Sequence, residues 1–203
     1  MRFAVLLLGA VAPLLAQSYP HHNITLGMGG ASPGADLAGF FSGSFGMGAN
    51  YGYRFHRLFQ ADLGFETLFG AARVKDFYET DFGPLRIKDY QYFVPMGGRA
   101  LVPLGRVLIS AGGGGAYMKY SERIRQPSDF YRIACPVCQS RSGWGYYGLL
   151  GFSVALDRRH MFRLGVTTRV YRGHTDGEPL GSVPGIRTRD MWVNTLGEFG
   201  LSF

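Results

Sequence analysis

Apolar and small or polar residues alternate through most of this chain, and eight segments carry the alternation. A period of two places successive side chains on opposite faces of a strand, so each segment predicts a β-strand with one greasy and one small, polar face. The first is His22–Ala31, with Ile24, Leu26 and Met28 opposed to Asn23, Thr25 and Gly27. The second is Phe40–Tyr53, the clearest, where Phe41, Phe45, Met47, Ala49, Tyr51 and Tyr53 face away from Ser42, Ser44, Gly46, Gly48, Asn50 and Gly52. Leu58–Phe69 and Lys88–Val102 follow, the latter with a bulge expected at Pro95, which cannot donate to a ladder. In Val107–Tyr120 the run Ala111–Ala116 leaves the facing open. Trp144–Leu156, Met161–Arg172 and Met191–Phe203 complete the set.

These segments are about 10–14 residues long, the reach of a tilted strand across a bilayer, whereas strands of soluble proteins centre on about five or six. Their connections alternate as well. Arg54–Arg57, Pro103–Arg106 and Asp157–His160 are tight turns, while Gly70–Ile87, Ser121–Gly143 and Gly173–Asp190 are long and polar. Short turns at one end and long loops at the other predict an all-β, eight-stranded, antiparallel up-and-down transmembrane barrel with both termini at the short-turn end. Aromatic residues gather where the membrane interfaces would lie: Tyr51, Tyr53, Phe59, Phe162 and Phe203 near the short turns, and Phe69, Tyr90, Tyr92, Tyr117, Trp144, Tyr146 and Tyr171 near the long loops.

Residues 1–16 read differently. Arg2, the apolar stretch Phe3–Leu15 and small Ala16 have the order of a secretory signal, too short to span a bilayer. The expectation is a cleaved leader over 1–16 and a barrel domain over 17–203. Composition agrees with export into a membrane. Gly numbers 31, aromatics make up 15% and charged residues only 17% of the chain, below the quarter usual in soluble domains. The formal charge is +7, but the arginines are scattered among acidic residues and form no basic stripe, so nucleic acid is not expected as a partner.

On the proposed inner faces lie Asp62, Glu66, Arg99, Arg163, Arg169 and Glu198. An eight-stranded barrel is just wide enough for side chains to fill it. Charges buried there need partners, so these six are expected to form an Arg–carboxylate network plugging the lumen, with a water or ion pathway as the other possibility.

The chain from about residue 20 to its end resembles the small outer-membrane barrels of the OmpA/OmpX type, the outer membrane protein β-barrel domain family. The alternating C-terminal strand carries the resemblance, through Val193, Thr195, Phe199, Leu201 and the terminal Phe203. By resemblance this strand is the sorting signal read by the barrel assembly machinery. Outer-membrane lipid and lipopolysaccharide would surround a monomeric barrel.

Chemistry-bearing residues are few. Cys135 and Cys138, with two residues between them in a long loop, are expected to form a local disulfide, with redox activity or half a metal site as alternatives. His21–His22 at the mature N-terminus, His56 and His160 in short turns read as solvated. His174, with Thr175, Asp176 and Glu178, sits where some outer-membrane barrels carry a lipid A-modifying site, but no serine stands two residues after His174 as the deacylase motif requires. The expectation is therefore no catalytic residue, metal or cofactor, and a structural, adhesive or surface-interaction role for the long loops. A narrow channel or small-solute transporter is the alternative, a lipid A-modifying enzyme the next, and a soluble lipocalin-like barrel with inverted faces the last.

Overall fold

The computed structural model describes residues 19–72, 77–81, 83–124, 135, 138–177, 179, 185 and 187–203; the expected leader over 1–16 lies outside them. Nine strands form in chain order: β1 (His22–Ala35), β2 (Ser44–His56), β3 (Phe59–Phe69), β4 (Phe77–Thr80), β5 (Gly83–Leu104), β6 (Val107–Ile124), β7 (Ser140–Ala155), β8 (Phe162–Gly177) and β9 (Arg187–Ser202). Each barrel strand pairs antiparallel with its sequence neighbour, β9 returns to β1, and β3 pairs with β5. The ring therefore closes on eight strands and has no edge. β4 stands outside it, a four-residue strand hydrogen-bonded only to the tip of β5.

Against the expectation from periodicity, the strands run further into the long-loop end. The stretch expected as the loop Gly70–Ile87 contains β4 and the start of β5. β6 and β7 stay paired as far as Ser121↔Ser140, and β8 and β9 as far as Asp176↔Arg187. Polar sequence conceals these extensions, because above a bilayer both faces of a strand meet water and alternation no longer marks them. At the other boundary, strand two begins at Ser44 and not at Phe40. Residues Asp36–Gly39 form a 3-10 turn, and Phe41 faces the barrel interior, bridged to Ala72.

Pro95 is accommodated without a break toward β6, where it opposes Ala116. Toward β3 the ladder has a gap between Leu63↔Met96 and Glu66↔Phe93, where Pro95 has no N–H to donate, but the register is the same on both sides, so the expected bulge does not form. The glycine run has a steric cause: a Cβ at Gly97 would collide with the Gly113 carbonyl, and one at Gly114 with the Met96 carbonyl. β5 and β6 are in contact too close for any side chain at those positions.

The outside is the apolar face. Leu26 and Met28 are each 60% exposed and Leu150 68%, while Asn50, Asp62, Glu66 and Asn194 are buried. A soluble protein would reverse this arrangement, and the apolar outer surface fits hydrocarbon. Aromatic pairs border it: Phe162 with Phe199 (6.1 Å) and Phe55 with Phe59 (6.5 Å) near the short turns, Tyr117 with Trp144 (5.4 Å) and Phe69 with Tyr90 (5.9 Å) toward the loops. Tyr171 does not belong to that girdle; it is fully buried inside the barrel.

Met28 pairs with Met47 and Gly197 on the outer surface. Met28→Arg is expected to cost about 2–4 kcal/mol if this level lies near the bilayer midplane, measured by reversible denaturant unfolding in phospholipid vesicles.

Candidate functional site

Strand alternation points one residue in two at the lumen, and the polar ones meet at mid-height. Asp62 on β3 pairs with Arg99 on β5, Nε to Oδ2 at 2.5 Å, and also accepts from Gln60 Nε2 (2.7 Å) and Asn50 Nδ2 (3.1 Å). Glu66, four residues further along β3, reaches across the barrel to Arg169 on β8 at 2.5 Å. Arg169 also contacts Glu198 on β9 at 3.3 Å. Asn194 donates to Glu66 (2.7 Å) and the Thr167 hydroxyl to Glu198 (2.7 Å). Five of the six lumen residues expected from sequence thus lie in two adjoining clusters. Arg163 does not join them. On β8 it lies six residues from Arg169, nearer the short turns, and among the described residues no carboxylate is within ion-pair distance of it.

Above the ion pairs, toward the loops, the lumen is filled by aromatic rings that periodicity did not single out. Phe93 stacks on Tyr171 with centroids 4.4 Å apart, Tyr147 tilts against Tyr171 at 5.7 Å, and Trp192 meets Phe93 and Phe41 edge-on. Phe41 in turn meets Tyr120 at 5.2 Å. Phe93, Tyr171 and Trp192 have no exposed surface. The available signal was phase: Tyr147 stands one residue from lipid-facing Tyr146, Phe93 one from Tyr92, and Trp192 one from Val193, so each must point inward if its neighbour points out.

Below the ion pairs, near the short turns, is a cavity of about 40 Å³ lined by Asn23, Thr25, Ser110, Ser153, Arg163 and Gly200 among others, room for a water or two. Arg54 is buried at the same end, its guanidinium 5.9 Å from the Tyr19 ring. The neighbouring turn is held by Asp157, whose two oxygens accept from the backbone N–H groups of Arg159 (3.0 Å) and Phe162 (2.9 Å). The Phe162 bond, first among these, holds the Asp157 carboxyl below the ordinary carboxylate range.

At the long-loop end Cys135 and Cys138 are joined as a disulfide, which leaves neither sulfur free as a thiolate. His174 and Thr175 are consecutive in β8 and point to opposite faces: His174 is exposed, while Thr175 is buried and donates to Asp190 Oδ2 (2.7 Å). Asp176 faces outward to Arg187 at 3.5 Å. These residues do not assemble a hydroxyl–imidazole pair, which requires the base within hydrogen-bond reach of the nucleophile. Glu178 lies outside the described residues. The other histidines take local roles: His22 Nδ1 meets the Tyr51 hydroxyl (2.8 Å), and the Leu58 N–H donates to His56 Nδ1 (3.2 Å). Of the C-terminal strand, Val193, Thr195, Phe199, Leu201 and Phe203 all project from the outer face.

The model of the outer membrane protein beta-barrel domain matches residues 2–196. Among solved structures, Neisserial surface protein A (NspA) aligns with a TM-score of 0.54 at 11% identity, over 92% of this chain and 100% of that one. Ail, the attachment invasion locus protein of Yersinia pestis, aligns with a TM-score of 0.50 at 14% identity, over 91% and 100%. At such identities the likeness is one of fold. No curated protein sequence matches the chain.

Two outcomes follow for the lumen and its turn. Arg99→Met strands the Asp62 carboxylate among neutral donors and is expected to cost about 3–5 kcal/mol; adding Asp62→Asn should restore part of it, read as urea midpoints in detergent. Asp157→Ala should lower the unfolding midpoint at neutral pH. Because the folded-state pKa of Asp157 is depressed, its contribution is complete above the unfolded carboxylate value and disappears as pH falls through the folded one. Wild type and variant should therefore converge in acid.

Proposed function

The chain belongs to the outer membrane protein β-barrel domain family and lies in the outer membrane, and from that premise we propose that it is a non-enzymatic surface barrel that acts through its long-loop end. One observation carries this reading: the lumen is occupied from wall to wall by the ion pairs and the aromatic rings above them. A filled lumen supports a structural scaffold over a conduit, and leaves the outer surface and the loops as the parts available to partners. The separation of His174 from Thr175 across the two faces of β8 speaks against the lipid-modifying alternative.

The outer face also favours a class of neighbour. Above the aromatic girdle, Lys88 and Arg123 sit directly opposite each other on β5 and β6, with Arg86 and Lys119 exposed nearby. A cationic band just outside the hydrocarbon suits the phosphates of lipopolysaccharide in the outer leaflet. The C-terminal strand, with its alternating outward residues, is the segment we assign to the assembly machinery. The barrel is read as a monomer.

Two measurements test the proposal. In planar bilayers the purified full chain should give no steady single-channel openings; reproducible openings would return the channel reading. A variant with the long loops replaced by tight turns should still partition into the outer membrane and show heat-modifiable gel mobility, while attachment of expressing cells to matrix-coated or host-cell surfaces falls to the level of non-expressing cells. Unchanged attachment would remove the surface role.

A further inference from the structure

Cations line much of the loop-side rim of the barrel, but they are neutralised on one side only. On β8 and β9, Arg187 lies 3.5 Å from Asp176 and Arg189 lies 3.3 Å from Asp36. On β5 and β6, Arg86, Lys88, Lys119 and Arg123 are exposed, and among the described residues none has a carboxylate within ion-pair distance. Lys88 and Arg123 are direct cross-strand partners, and like charges so placed repel and weaken the pairing. The neighbouring acids do not relieve this. Asp89 and Glu122 form the adjacent pair of the ladder, so alternation turns them to the other face. There Asp89 Oδ2 accepts from the Ala72 N–H (2.9 Å), and Glu122 accepts from the Tyr120 hydroxyl (2.7 Å) and the Gln139 N–H (2.8 Å). The hairpin thus carries its positive charge outward and its negative charge inward.

Beside these cations the wall of the barrel opens. β3 ends at Phe69, opposite Tyr90, and the chain turns away at Gly70 with a φ of +67°. β4 resumes the pairing with β5 only at Arg86, opposite Phe77. The interval leaves an open cleft of about 290 Å³, lined by Arg86 and Lys88 together with Phe69 and Tyr90. The one acid in its wall is Asp89, on the other face of β5 from Lys88. Aromatic rings continue below. Tyr90 stacks on Tyr92 (6.2 Å), and Tyr92 lies 6.0 Å from Phe65, an exposed ring of the apolar belt. Two residues of strand, about 7 Å, separate Lys88 from Tyr90. A column therefore runs from unpaired cations, over aromatic faces, down to the hydrocarbon.

We propose that this cleft is a binding site for one phosphorylated glycolipid of the outer leaflet, its phosphate held by Arg86, Lys88 and Arg123 and its sugar and first acyl carbons laid on Tyr90 and Tyr92. The inference rests on the surface reading above and assigns it a site on one side of the rim. The order of the column selects the ligand: a soluble phosphate would use the cations without the rings, and a neutral lipid the rings without the cations. Phosphate oxygens take charge-assisted hydrogen bonds from guanidinium and ammonium groups, and tyrosine rings suit the headgroup level of a membrane. The bound anion also removes the repulsion between Lys88 and Arg123, so binding stabilises the β5–β6 hairpin. On β8 and β9 the carboxylates of Asp176 and Asp36 already take that place.

The test uses the full mature chain refolded in phosphatidylcholine vesicles with a chelator present, and lipid A added in steps. The thermal midpoint, followed by loss of the fast-migrating gel form, is expected to rise and saturate. Lipid A stripped of its phosphates, and inorganic phosphate at the same concentration, should leave it unchanged. The double variant Lys88→Gln, Arg123→Gln should need about tenfold more lipid A for the same rise, and without lipid A should unfold no earlier than wild type, because the repulsion is gone. Arg187→Gln, which removes a neutralised cation, should respond as wild type. Should the double variant fail to assemble, Arg86→Gln, at the hairpin tip beyond the closed ring, gives the same reading. An equal rise with dephosphorylated lipid A or with free phosphate, or an unchanged half-saturation in the variants, overturns the proposal. Such a failure removes the cleft and leaves the attachment and conductance results, on which the surface reading stands, untouched.

Discussion

Every backbone N–H and C=O of a segment crossing hydrocarbon must find a partner within the protein, since no water is there to supply one. For this chain the requirement is met by ring closure: β9 returns to β1, and β3 to β5 past the excluded β4. The ladder between β3 and β5 keeps one register across the gap beside Pro95, and glycines let β5 and β6 approach closely. Closure then dictates the side-chain logic. With no edge and two faces, each strand must present one row to lipid and the other to the interior.

The interior that results is narrow and stratified. Mid-height carries paired charges, whose long side chains span the barrel from β3 to β8 and β9 and so tie distant strands together. Buried ion pairs are weak contributors to net stability but strong specifiers of register, because a slip of one residue would turn Glu66 or Arg169 to the lipid. The aromatic layer above supplies what the ion pairs cannot, a dry packing core: Phe93, Tyr171 and Trp192 interlock with Phe41 folded in from outside the strands. Together the two layers make the barrel a solid post, with its variable chemistry displaced to the ends.

The two ends differ physically. Toward the loops, hairpins rise beyond the apolar belt, a cationic band flanks the girdle, and the Cys135–Cys138 disulfide ties one loop locally. Toward the turns, connections are short, His22 stacks on Phe203 and tilts against Tyr53 at the interface, and Arg54 and Arg163 are buried inside. The first end exposes long hairpins beyond the membrane, and the second holds a small polar cavity within the barrel.

Much of this was legible in the sequence because a bilayer imposes a one-dimensional code. Strand number, the lipid-facing rows and the alternation of short and long connections depend only on residue spacing, since the hydrocarbon acts on each strand alike. Asp62, Glu66, Arg99, Arg169 and Glu198 could be placed in the lumen for the same reason. Which of them would meet, and that Arg163 would not, depends on the stagger of strands far apart in sequence. Spacing along one strand carries no information on that stagger. The inward aromatics were masked because stronger apolar neighbours on the lipid face claimed the pattern. Phe41 was misplaced because the chain leaves the sheet there and alternation ceases to govern it. Strand ends above the membrane escaped for a related reason: with water on both faces, burial no longer writes itself into the order of residues, and only the closed barrel decides where pairing stops.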